Sequence, residues 1–134
     1  MDKARVDAAL QAFSVALPEL PEWVILVRTN GEFISRIGEY PYFYPRAIDD
    51  ETAALWTHAH GTHLLSTLEH VNHGGLECSV TFGGNGTFFL VHLNYAFFLG
   101  VSFSVIINSV NDTIENMFIH CHPILEAVNP SFPT

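Results

Sequence analysis

From Ala47 to Thr134 the chain has no lysine and no arginine. All five basic residues, Lys3, Arg5, Arg28, Arg36 and Arg46, precede that stretch, and the net charge is −9. A protein that grips a phosphate backbone needs a basic stripe, because released counterions supply much of the binding free energy. None is present, which argues against nucleic acid as a partner and, for the same reason, against an anionic membrane surface. Cysteine is scarce too. Cys78 and Cys121 could form one bridge but no disulfide framework, and reduced, buried thiols are expected. Long apolar runs are missing: "YAFFLGVSFSVII" (Tyr95 to Ile107) covers 13 residues and is interrupted by two serines and a glycine. That is too short to span a bilayer. The opening "MDKARVDAALQAFSVAL" lacks the apolar core of a signal peptide, so a cytoplasmic protein without membrane insertion is expected.

Charge of either sign is low, at 14% of residues against 49% hydrophobic. Average usage is about 25% charged. A chain of this length cannot reduce its surface much further, so part of its apolar surface is expected to be shared with a partner or a second copy. The length suits one domain, assigned to residues 1–128, with 129–134 as a tail.

Periodicity then gives the elements. Val6, Ala9, Leu10, Phe13 and Leu17 recur at helical spacing, and "PELPE" stops that helix because proline has no N–H to donate. "WVILVRT" reads as a buried strand, Asn30-Gly31 as a tight hairpin turn and "EFISRIG" as the return strand. "EYPYFYPRAIDDE" reads as a loop on its two prolines. Its aromatics Tyr40, Tyr42, Phe43 and Tyr44, with Arg46, either lid the core or form a partner-docking surface. Asp49 and Asp50 cap a central helix, which is expected to run to Gly74-Gly75. Three strands follow, joined by turns at Gly83 to Gly86 and at Asn94. In the last helix Pro123 should kink or split the run. The order α-β-β-α-β-β-β-α implies an α+β fold, a five-stranded antiparallel sheet with helices packed on its faces.

The central helix holds the densest chemistry, five of the eight histidines between Trp56 and His73. "HAHGTH" invites a metal reading, since zinc takes imidazole readily. On a helix, however, residues two apart point about 200° from each other. His58 and His60 therefore cannot chelate one ion from a regular helix, and no metal is assigned. At about 100° per residue, Ala53, Ala54, Gly61, Leu64, Leu65, Leu68 and Val71 share one arc, expected to face the sheet. Trp56, His60, His63, Thr67 and His70 share the adjoining arc, half apolar and half polar, which suits a helix–helix dimer interface that could respond to pH. A solvated flank without a role is the plainer alternative. "HCHP" gives a second possible ligand group, with a packed Cys121 as the simpler reading and His92 as a conceivable base for it. "GGNGT" lacks the lysine and the length of a phosphate loop. No catalytic residue and no cofactor is assigned.

Three stretches together carry a family likeness. "LQAFSVALPELPEWVILVRTNGEFISRIG", "LEHVNHGGLECSVTF" and "GNGTFFLVHLNYAFFLGVSF" resemble, in order, the opening helix and hairpin, the glycine-stopped central helix, and the paired strands of the roadblock (dynein light chain roadblock) family. The likeness spans nearly the whole chain and rests on apolar pattern and turns. The aromatic loop, the histidines and the missing late Lys and Arg depart from it. The resemblance implies a non-enzymatic dimer, with itself or a paralogue, that regulates or scaffolds a small GTPase, a motor or another multi-protein complex. It also implies central helices side by side and strands paired across the dimer. The competing readings are a small-molecule sensor of similar fold, motivated by the eleven phenylalanines, and a small histidine-based metalloprotein.

Overall fold

The computed structural model describes residues 1–43 and 46–128, without the side chains of 42–47. The partition of a tail at 129–134, and Tyr44 in the loop, lie outside the described residues. The elements are α1 (Lys3–Ala16), β1 (Trp23–Arg28), β2 (Phe33–Gly38), β3 (Tyr42–Phe43), β4 (Arg46–Ala47), α2 (Asp50–His70), β5 (Cys78–Phe82), β6 (Thr87–Leu93), β7 (Phe97–Phe103), α3 (Val110–His120) and α4 (His122–Val128). The expected five-stranded antiparallel sheet is present, in the order β2-β1-β7-β6-β5. One correction falls in the aromatic loop: Tyr42 pairs with Ala47 and Phe43 with Arg46, so a minimal hairpin stands where two prolines argued against regular structure.

The sheet is covered on both faces. On one, Val6, Leu10 and Phe13 of α1 meet Leu26, Phe89, Val91, Leu99 and Val101, and α3 and α4 close the layer through Met117 and Ile124. These side chains are essentially buried, and strands covered on both faces read as the near-continuous apolar runs seen in β1 and β7. On the other face lies α2, over Ile25, Val27, Leu90 and Phe98. Asp2 and Asp49 accept from the first-turn N–H groups of Arg5 and Thr52, capping α1 and α2. The register of β2 slips between Leu26 and Val27 of its partner: Val27 faces Phe33 and Leu26 faces Ser35, leaving Ile34 as the extra residue of a bulge. The bulge turns Ser35 toward α1, where its hydroxyl donates to Asp7.

Two expectations for α2 need correcting. The helix ends at His70, before the glycines, because Asn72 already turns left-handed at φ 58°. The His73 N–H then reaches back to the Leu68 carbonyl (2.9 Å), the closing bond of a Schellman motif. Val71 consequently lies beyond the helix and is 51% exposed, so it does not anchor α2 to the sheet. The anchors are Ala53, Ala54, Thr57 and Gly61, with Leu64, Leu65 and Leu68 half-buried beside them. Thr57 fits this face because its hydroxyl donates to the Ala53 carbonyl (2.8 Å) and presents its methyl to the core. Pro123 does split the last helix: α3 stops at His120 and α4 restarts at His122, with the proline in its first turn, where no N–H is missed.

Candidate functional site

Small residues on the buried stripe of α2 let the helix sit close to the sheet, and larger side chains beside them leave a groove. A cavity of about 300 Å³ opens between α2 and the sheet, lined by Trp23, Ala53, Trp56, Thr57, His60, Thr81 and Phe88. An aromatic row runs along it. Tyr40 meets Trp23 edge-on (5.0 Å between centroids), Trp23 meets Phe88 (5.8 Å), and Phe88 meets the His60 ring (6.2 Å). Trp56, 57% exposed, stands at its side. Two groups that are far apart in sequence, Tyr40 of the loop and Trp56 with His60 of the helix flank, thus belong to one continuous surface.

Tyr40 is the fixed end of that row. Its hydroxyl donates to the Asp50 carboxylate (2.7 Å), Arg36 Nε donates to the same oxygen (2.9 Å), and the guanidinium lies over the tyrosine ring (4.8 Å). Burial first, then the neighbouring Asp50, holds the phenol far above its ordinary ionisation range. A second Arg36 N–H bonds the Gly38 carbonyl, so the end of β2 is tied to the first turn of α2.

The flank residues divide in the structure. His60 is half-buried, and its Nε2 is enclosed without a hydrogen-bond partner. His63, Thr67 and His70 are exposed. Thr67 donates to the His63 carbonyl (3.0 Å) and His70 Nδ1 returns to the Ser66 carbonyl (2.7 Å). His58 leaves on the opposite side, against Gly31 in the β1–β2 turn, so the two histidines of "HAH" do point apart. Among the described residues no three His, Cys, Asp or Glu side chains gather as metal ligands. Cys121 lies in the core layer of α1, α3 and α4, whereas His92 packs on Phe98 on the α2 face. Both thiols are free, and burial pushes Cys78 up to about 11 and raises Cys121 as well. Neither is an activated nucleophile.

The groove runs to one edge of the sheet. Among the described residues β5 pairs only with β6, and its sequence CSVTF carries no proline, no charge and no bulge. The opposite edge, β2, has both the bulge at Ile34 and a charge at Arg36. Edge strands left without such guards are open to pairing with another chain. Sequence periodicity could find Trp56 and His60 but not Trp23, Thr81 and Phe88, because these come from strands that only the fold brings to the helix.

At the level of sequence, no protein-family model and no curated protein matches the chain. Solved structures do. MglB of Myxococcus xanthus superposes with a TM-score of 0.70 at 14% identity, covering 98% of this chain and 90% of its own. The gliding protein MglB of Thermus thermophilus gives 0.66 at 11%, over 95% and 87%. A Roadblock/LC7 domain of Streptomyces avermitilis gives 0.70 at 13%, over 96% and 98%. An MglB with a tetrameric arrangement is similar to a like degree, with a TM-score of 0.67 at 11% identity. The chain therefore has the roadblock/LC7 fold, as the pattern of its sequence implied. No described helix is long and apolar enough to cross a membrane.

Proposed function

We propose that the protein is a non-enzymatic interaction module that self-associates through the α2 flank and the β5 edge, and in that form regulates or scaffolds a small GTPase or a multi-protein complex. The observation that carries this reading is the apolar aromatic groove running into an unguarded strand edge. A second copy related by a two-fold axis would pair β5 with β5 and lay Trp56, His60, His63, Thr67 and His70 against their counterparts. The low charge of the chain agrees with such a shared surface. The GTPase part rests on the family resemblance, together with the likeness of fold to MglB and the Roadblock/LC7 domain. Partner docking is assigned to the loop of Tyr40, Tyr42, Phe43, Tyr44 and Arg46, with Tyr40 as its anchored base.

Size-exclusion chromatography with light scattering tests the self-association. Wild type should run as a dimer, and Trp56→Glu and Thr81→Pro should run as folded monomers. A monomeric wild type at the highest concentrations reached would remove the reading. For the docking loop, a pull-down from the source organism with and without Tyr42→Ala and Phe43→Ala should recover a GTPase or scaffold component only with the intact loop. A second reading, a sensor holding a small apolar ligand in the groove, is favoured by the unpartnered His60 Nε2 beside that cavity. Native mass spectrometry showing a stoichiometric small molecule would select it instead.

A further inference from the structure

A second cavity shares no lining residue with the groove. It has a volume of about 390 Å³ and is lined by Leu76, Glu77, His92, Asn94, Tyr95 and Phe118. Three features of it go unexplained by packing or by self-association. Both ring nitrogens of His92 are enclosed without a hydrogen-bond partner. A neutral imidazole has one donor and one acceptor to satisfy, and leaving them unmet in a folded chain is destabilising. Tyr95 occupies the left-handed region at φ 57° in the three-residue β6–β7 turn, where glycine is the favoured residue, and it is nonetheless 78% exposed. Its ring stands edge-on to His92, 5.4 Å away. Phe118, from a helix on the other side of the sheet, contributes a second aromatic surface that is 43% exposed.

The polar side chains here bring acceptors and no fixed positive charge. The Glu77 carboxylate has no ion-pair partner among the described residues. Asn94 offers an amide oxygen and His92 a ring lone pair. No lysine or arginine lines the cavity, and none follows Arg46 anywhere in the chain. A carboxylate and neutral acceptors beside two aromatic faces form an environment for a planar cation with several donors. A guanidinium meets that description better than an ammonium, because it can stack on a ring while donating in its own plane. We propose that this cavity binds an arginine side chain of a partner protein, with Glu77 and Asn94 accepting from the guanidinium and Tyr95 and Phe118 flanking it. The strained, exposed tyrosine is then a binding residue rather than a turn former. The proposal does not depend on the self-association reading.

The test is an NMR titration of the uniformly labelled full chain with N-acetyl-arginine amide, and with its neutral isostere N-acetyl-citrulline amide. The arginine compound should produce saturable shifts confined to Glu77, His92 to Tyr95 and Phe118. Citrulline amide should bind about tenfold more weakly, having lost both the ionic and the cation–π contributions. Glu77→Gln should weaken arginine binding about threefold to fivefold. Tyr95→Gly should weaken it comparably while raising the unfolding midpoint, since glycine relieves the backbone. A purely structural tyrosine would not give that split. Equal binding of the two probes, shifts centred elsewhere, or no saturable shift overturns the proposal.

Discussion

The ring of Phe98 lies directly beneath Gly61: a Cβ placed on that glycine would stand 2.5 Å from Phe98 Cζ and 2.6 Å from Cε1. Phe98 is fully buried and packed against the His92 ring, 5.0 Å away, which limits how far it can give way. In an exposed helix Gly→Ala gains about 1 kcal/mol of propensity. Here overpacking outweighs that gain, and Gly61→Ala is expected to destabilise the fold by a net ~1–3 kcal/mol in urea unfolding. Because α2 must lift to accommodate the methyl, the proposed self-association should weaken as well. An unchanged or higher midpoint would mean that α2 slides freely over the sheet.

A second contact fixes α1. The fully buried Ser35 hydroxyl donates to Asp7, and Lys3 approaches the same carboxylate at 3.2 Å. The Ser35 hydrogen bond holds the Asp7 carboxyl below its ordinary range; partial burial opposes it, and Lys3 adds a smaller lowering. A carboxylate with a depressed folded value contributes stability that is present above its unfolded value, about 3.9, and is lost as pH falls through the folded one. Ser35→Ala should therefore cost about 1 kcal/mol at neutral pH. It should also flatten the acid limb of the stability curve below about pH 4. Parallel acid limbs for wild type and variant would show that Asp7 is not the group involved.

What was legible in the sequence was whatever is decided locally. The Asn30-Gly31 turn, the Asp49 cap and the split at Pro123 each follow from one or two residues with restricted backbone chemistry. What was not legible depends on partners remote in the chain. The β2 bulge exists because Ile34 and Ser35 are both drawn to the α1 side. Asn72 ended α2 ahead of two better-known helix stoppers because it tolerates the left-handed region nearly as glycine does. Of the groove, a helical wheel found Trp56 and His60, yet nothing in the local pattern could place Trp23 and Phe88 opposite them. The Glu77, His92, Tyr95 and Phe118 cavity left no trace in any periodicity.

Tyr40 offers a spectroscopic check on the end of the aromatic row. Its phenol is held un-ionised by burial and by the Asp50 carboxylate that accepts its proton. A raised folded value means that the contribution to stability is complete below the unfolded value, about 10, and is lost as pH rises beyond it. In an alkaline absorbance titration, one of the four tyrosines should lag the others and ionise only as the chain unfolds. Tyr40→Phe should remove that late component and cost about 1 kcal/mol, one hydrogen bond. Titration of all the tyrosines in a single early step would mean that the Asp50 contact does not persist in solution.

The proposed self-association through the α2 flank carries a pH sign of its own. His60 lies beside an apolar cavity whose other walls, Trp23, Ala53, Trp56, Thr57, Thr81 and Phe88, include no charged group to stabilise an imidazolium. His63 and His70 lie exposed on the same flank. Histidine ordinarily takes up its proton just below neutrality, and a second copy closing over the flank would strip water from the charged form. The dimer should therefore be favoured at higher pH and weaken as pH falls. Its dissociation constant, measured at about pH 7.5 and about pH 5.5, should be larger at the lower value. His60→Leu should tighten the dimer at the lower pH and remove most of the dependence, and His63→Ala a smaller part. A dissociation constant unchanged with pH would eliminate the histidines as a switch while leaving the interface itself intact, whereas an absent dimer at both values would remove the interface.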